Sequence, residues 1–261
     1  MFYLYDCYSR IILGTSPKAG RTFVLNIYRY IKEIDSKESV YKSKDLSLKN
    51  IYKNEKKFSK LFWLLKEFPN SIKSNHYSKN FLNKSKLIIF IRNPYDRLVS
   101  GFMDKYNYYK NPTYPKYYSW NCKKKLTFRN FVNELEKNNV DKNHFENQIN
   151  HSDIEYILNN QNLTVFDIGN IDYPLLSTFF NKEIPDKVIN FKTNHQREKS
   201  IINIENKDKN KVCDLTHDLI DMSAPWEQFY DDDILNKVNY IYSNDFKIFS
   251  DLGFFYKVSK I

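Results

Sequence analysis

The chain has 261 residues, 41% hydrophobic and 28% charged, with a net charge of +10. That length allows one large domain or two small ones and buries a core without disulfide or metal staples. The composition excludes a disordered tail and a membrane bundle, and the charge favours an anionic partner. Only seven of the 41 basic residues are arginine. Most of the positive charge is therefore lysine spread along a Lys-, Asn-, Ile- and Tyr-rich chain, and reads as solvated surface.

No run reaches the roughly 18 apolar residues that a spanning helix needs. The start, MFYLYDCYSRIILGT, lacks a basic stretch followed by an apolar one and a cleavage site, so a secretory leader is not expected. Cys7, Cys122 and Cys213 form no CxxC pair, which argues for a reducing compartment and against a metal site. A cytoplasmic location is the expectation.

The first informative stretch is RIILGTSPKAGRTF. Ile11–Leu13 reads as a short buried strand. Gly14–Arg21 is a loop. Phe23, Ile27, Tyr30, Ile31 and Ile34 fall on one face of a following helix. A strand, a loop and a helix N-terminus bind phosphate, because backbone N–H groups and the helix dipole face the anion. Lys18 and Arg21 add charge, and Ser16 and Thr22 add hydroxyls. The spacing is not that of a Walker A loop: five residues separate Gly14 from Gly20, and Arg21 stands where that motif has lysine. This disfavours an ordinary ATPase. Residues 35–60 are rich in Lys and Ser and read as a surface excursion.

Leu87–Ile91 is an apolar run expected to be a central parallel strand. Asn93 and Pro94 suit a helix cap and first turn. Leu98, Val99, Phe102, Met103 and Tyr106 give that helix its buried stripe. Arg97, Ser100, Gly101 and Asp104 take the opposite face. Arg92 stands at the strand's C-terminal end, where open α/β sheets bind ligands, so Arg92 and Ser100 are expected to converge on one anion.

The 107–125 stretch mixes prolines, aromatics and lysines and is a candidate lid. Thr127 caps a helix bearing Phe128, Phe131, Val132 and Leu135. Thr164–Gly169 is a further strand, with Pro174 near the start of the next helix. Asp231–Asp233 open one last long helix buried through Ile234, Val238, Ile241, Tyr242 and Phe249. No solenoid repeat occurs. Alternating strands and helices predict a single α/β domain over residues 1–261, three-layered and P-loop-like, with a central parallel sheet flanked by helices.

These segments together resemble the sulfotransferases that use 3′-phosphoadenosine 5′-phosphosulfate (PAPS), in their carbohydrate branch. P17-K-A-G-R-T22 is similar to the loop that binds the 5′-phosphosulfate there. R92-N-P-Y-D-R-L-V-S100 is similar to the segment that binds the 3′-phosphate. H144-F-E-N-Q148 followed by Leu163–Gly169, F191-K-T-N-H195, and F229-Y-D-D-D with Y242-S-N-D-F246 resemble further stretches, the last a closing helix that mostly packs. Arg21 replaces a small residue usual in the first loop. The cysteine pair that follows the histidine stretch in that branch is missing. The anchor of Golgi-resident members is missing as well, so a Golgi location is not expected.

The resemblance implies a cofactor site of Ser16, Pro17, Lys18, Ala19, Gly20, Arg21 and Thr22 for the phosphosulfate. It implies Arg92 and Ser100 for the 3′-phosphate, and Lys192, Asn194 and His195 closing over the nucleotide. Lys18 is the expected catalytic cation. The acceptor hydroxyl needs a general base, and histidine suits it because it is neutral near pH 7. His76, sixteen positions before Arg92, is the first candidate, and the resemblance supports it. His144 is the second. His151, His195 and His217 are assigned structural or binding roles, and no histidine pair has metal-ligand spacing. The expected partners are PAPS and a glycan or other hydroxyl-bearing acceptor. Two rival classes are a phosphate-binding kinase or NTPase and a basic nucleic-acid-binding module. The first lacks its loop motif. The second lacks any groove-reading element, and its lysines are dispersed.

Overall fold

A computed structural model describes residues 2–6, 10–16, 18–31, 84–109, 127–137, 145–149, 154, 157–158, 160–185, 188, 212–215, 220 and 224–257, with backbone alone for 2–6, 29, 31 and 104–109. Pro17, Lys192, Asn194 and all five histidines, His76 and His144 among them, lie outside the described residues, as do 35–60 and 110–125. In chain order the elements are β1 (Phe2–Asp6), β2 (Ile11–Thr15), α1 (Arg21–Ile31), β3 (Lys86–Ile91), α2 (Pro94–Tyr109), α3 (Phe128–Glu136), β4 (Leu163–Asp167), α4 (Tyr173–Phe180), α5 (Asp232–Ile241) and α6 (Ser243–Asp251). Two compact units emerge, Met1–Ile91 with Ile149–Phe191, and Arg92–Gln148 with Lys192–Ile261.

The first unit is built on a sheet of order β1-β2-β3-β4. Strands β2, β3 and β4 are parallel, with Leu13 beside Ile88 and Ile89 beside Val165. Strand β1 is antiparallel to β2. β3 has no polar alternation because both its faces are covered: Leu87 to Ile91 are all fully buried. On one face Ile11, Leu13, Ile88, Phe90 and Phe166 pack with Val24 and Ile27 of α1 and Leu176 of α4. Helix α4 starts as its sequence predicts. Asp172 accepts the Leu175 N–H at 2.8 Å, and Pro174 sits in the first turn. The parallel sheet flanked by helices agrees with the expected class. Strand β1 was not foreseen, since FYLYD is a short apolar run that periodicity alone does not assign.

The second unit is helical in its described part. Leu98, Val99, Phe102 and Met103 of α2 meet Phe128, Phe131, Val132 and Leu135 of α3, with Ile234 and Val238 of α5. Each buried phenylalanine stabilises by roughly 1.5–3 kcal/mol. Thr127 caps α3, its hydroxyl accepting the Asn130 N–H at 3.1 Å. The single long C-terminal helix expected from the sequence is two helices. The chain breaks at Tyr242 (φ −105°, ψ 22°) before α6 begins. Tyr242 is buried, and its hydroxyl donates to the Phe145 carbonyl at 2.9 Å. No glycine or proline marks the joint.

Arg129 on α3 gathers Asp214, Asp231 and Asp233, donating to Asp214 at 2.6 Å and to Asp233 at 3.2 Å, and pairing closely with Asp231. Asp231 also caps α5, accepting the Ile234 N–H at 2.9 Å. Cys213 is buried beside this group, with Sγ 3.3 Å from Arg129 Nη2. Burial, aided by Asp214, pushes its thiol up to about 11. A thiol held protonated and covered is inert. Iodoacetamide at pH 8 is therefore expected to label Cys213 only after denaturation, as read by peptide mass spectrometry. Equal labelling of the native protein would contradict this. No helix among the described residues is long and apolar enough to cross a membrane.

Candidate active site

Thr15 ends β2 fully buried, and its hydroxyl donates to the Ala19 carbonyl at 2.6 Å. The Ala19 N–H donates to the Ser16 carbonyl at 3.1 Å. Together these bonds close a four-residue turn. Its third residue, Lys18, has φ 63°. A turn that demands positive φ at this position takes glycine or asparagine by preference. A lysine there costs roughly 1–2 kcal/mol, and backbone strain of this kind clusters at ligand sites.

Gly20 follows at φ 77°, while Ala19 between them is not in the left-handed region. Alternation of this kind in the backbone also occurs in anion-binding nests. A Cβ on Gly20 would come within 2.8 Å of Ile168 Cγ2. Both conformation and space therefore require glycine. The Gly20 carbonyl accepts the first helical bond, from Val24 N–H at 2.9 Å, so the N–H groups of the first turn of α1 face its N-terminal end. The first turn of α1 holds no acidic side chain, and Lys18, Arg21 and Thr22 sit half-buried around it. The strand and the helix expected on either side of this loop are present, and Ser16 and Ala19 are buried between them. Sequence reasoning missed Thr15. Its signal was a hydroxyl residue at the last strand position, directly before the turn.

Arg92 is the first residue after β3. Asn93 caps α2 as expected, its side chain accepting the Tyr95 N–H at 3.0 Å. Arg92 Nε donates to Asp96 at 2.6 Å. Asp96 and Ser100 are four residues apart on one helical face, so this ion pair holds the Arg92 guanidinium on the face that carries Ser100. The pair is part-exposed and orients more than it stabilises.

Arg97 departs from the expected solvent-facing reading. It is 2% exposed, and its guanidinium donates to the Glu146 carbonyl at 2.7 Å and lies 6.0 Å from the centre of the Tyr242 ring. Burial lowers its pKa from the ordinary value, and Tyr242 and Asp245 oppose that shift. Gly101, placed on the same polar face by periodicity, is buried too. A Cβ there would come within 2.5 Å of the Phe145 ring. The reason is long-range: this face of α2 is covered by Phe145–Gln148 and by the α5–α6 joint.

The first unit therefore has a sheet whose first parallel strand leads through a lysine-bearing turn to the N-terminus of α1. A strand, a turn and a helix N-terminus in that order suit phosphate-like oxyanions. Residues 3–250 match the profile of the sulfotransferase family, and the chain belongs to that family. It is accordingly an enzyme of sulfuryl transfer. No curated protein and no solved structure matches it.

Proposed function

We propose that the protein moves the sulfuryl group of PAPS to a hydroxyl of a carbohydrate acceptor by in-line displacement. The observation that carries this reading is the Lys18–Gly20 backbone, which has Lys18 and Gly20 in the left-handed region directly before α1. When bound, PAPS supplies the sulfuryl group and departs as 3′-phosphoadenosine 5′-phosphate (PAP). The donor set suits it: backbone N–H groups, lysine and hydroxyls for the phosphosulfate, and an arginine with a serine for a second phosphate.

Lys18 meets the charge that builds on the bridging oxygen, a compact cation at a site of developing charge. The N–H groups at the start of α1, with Arg21 and the Thr22 hydroxyl, hold the 5′-phosphate side, and Ser16, Pro17, Ala19 and Gly20 shape the loop. Arg92 and Ser100 hold the 3′-phosphate, with Lys192, Asn194 and His195 over the nucleotide. His76 takes the proton of the acceptor hydroxyl, and His144 is the alternative base. The carbohydrate acceptor rests on the likeness of Arg92–Ser100 and His144–Gln148 to the carbohydrate branch. The whole of 1–261 then acts as one catalytic domain, and the cytoplasm is the proposed location.

Thermal shift separates this reading from a kinase-like one. PAP at about 100 times its Kd is expected to stabilise the protein by about 2.7 kcal/mol. A larger shift with ATP and Mg²⁺ than with PAP would overturn the proposal.

A further inference from the structure

Gln148 is fully buried, and its side-chain amide makes two bonds to one residue of another segment, one through its oxygen and one through its nitrogen. Its Oε1 accepts the Arg92 N–H at 2.9 Å, and its Nε2 donates to the Arg92 carbonyl at 2.7 Å. In effect a side chain replaces a strand partner at the point where the chain turns into α2. Gln148 is itself pinned. Its own N–H lies 2.8 and 2.9 Å from the two oxygens of Asp245, a carboxylate with no exposure. The same short segment is held at Phe145 O by Tyr242 and at Glu146 O by Arg97. Four bonds from three side chains thus fix a segment whose last residue grips the Arg92 backbone. A buried polar network of this cost is a specificity device when every member is satisfied.

We propose that Gln148 and Asp245 are positioning residues for recognition of the nucleotide's 3′-phosphate, acting through the backbone of Arg92. The inference rests on the PAPS reading. Asp96 sets the direction of the Arg92 side chain, and Gln148 sets the main chain from which that side chain departs. Loss of Gln148 frees two main-chain groups of Arg92 and shifts the root of the guanidinium, while the loop that meets the 5′ side is untouched. A misplacement of this kind penalises only ligands that carry the 3′ group.

The test compares PAP with adenosine 5′-phosphate by calorimetric titration. The wild type is expected to bind PAP more tightly, and failure of that preference would remove the PAPS reading itself. With the preference in place, Gln148→Ala is expected to weaken PAP about tenfold, equivalent to about 1.4 kcal/mol, and to leave adenosine 5′-phosphate unchanged. In an Arg92→Ala background the same change is expected to have no further effect on either nucleotide. In kinetics the KM for PAPS rises at constant kcat. Should the alanine variant not fold, Asp245→Asn, which keeps volume and one acceptor oxygen, is expected to shift the PAP preference in the same direction by a smaller factor. An equal loss for both nucleotides, or an unchanged ratio in a folded variant, overturns the inference and leaves the PAPS reading standing.

Discussion

Lys18→Ala is expected to lower kcat by about 10²–10³, the usual loss on removing one preorganised donor from a site of developing charge. Lys18→Gly should lose turnover to the same degree. The two variants part in stability. At φ 63° alanine keeps the steric conflict between Cβ and backbone that lysine has, and glycine does not. The glycine variant is expected to exceed the alanine variant by about 1 kcal/mol, or roughly 2–4 °C in Tm. Kinetics and thermal melts on the pair therefore separate the charge of Lys18 from its backbone. If the alanine variant keeps kcat within a few fold, Lys18 is not the catalytic cation. If the two variants melt together, the loop does not hold the strained geometry.

Arg97→Leu is expected to be the most destabilising of the changes considered, by about 3 kcal/mol. The arginine is 2% exposed, and its field reaches Asp245, which is fully buried. Removing one member of a buried charge group leaves the other uncompensated, which costs more than the intact group ever contributed. The Glu146 carbonyl also loses its donor. Urea denaturation with a two-state fit measures this directly. A solvent-facing arginine would change stability by less than about 0.5 kcal/mol, so a small effect would restore the reading that periodicity gave.

Arg97 also shows where a sequence stops being legible. Helical periodicity sorts α2 correctly for Leu98, Val99, Phe102 and Met103, because their partners make one broad apolar stripe. It sends Arg97 and Gly101 to solvent because nothing local announces that Phe145–Gln148 will cover them. Only the three-dimensional fold brings a segment about fifty residues away onto that face, and only then does the absence of a side chain at Gly101 acquire its reason, the ring of Phe145. The joint at Tyr242 is of the same kind. The helix breaks at an anchoring tyrosine whose partner, Phe145, is remote in sequence.

Features with local causes were legible. Asn93 and Pro94 announce a helix start by their own chemistry, as do Thr127 and Pro174. The loop between β2 and α1 was readable because rare glycines bracket a Ser-, Pro- and Lys-containing segment between an apolar run and an amphipathic one. Its inner detail was not. The Thr15 bond to Ala19 and the left-handed Lys18 depend on how the turn closes beneath α1. The general base remains a proposal, with His76 first and His144 second, both outside the described residues.

The central claim is that Lys18 and its loop deliver the sulfuryl group of PAPS to a sugar hydroxyl. The direct measurement is transfer of labelled sulfate from PAPS to a panel of glycans and simple alcohols, followed by mass spectrometry, with wild type and Lys18→Ala in parallel. The account predicts a labelled glycan with the wild type and about a hundredfold less or lower with the variant. Label on no glycan, or equal label from both proteins, would contradict it.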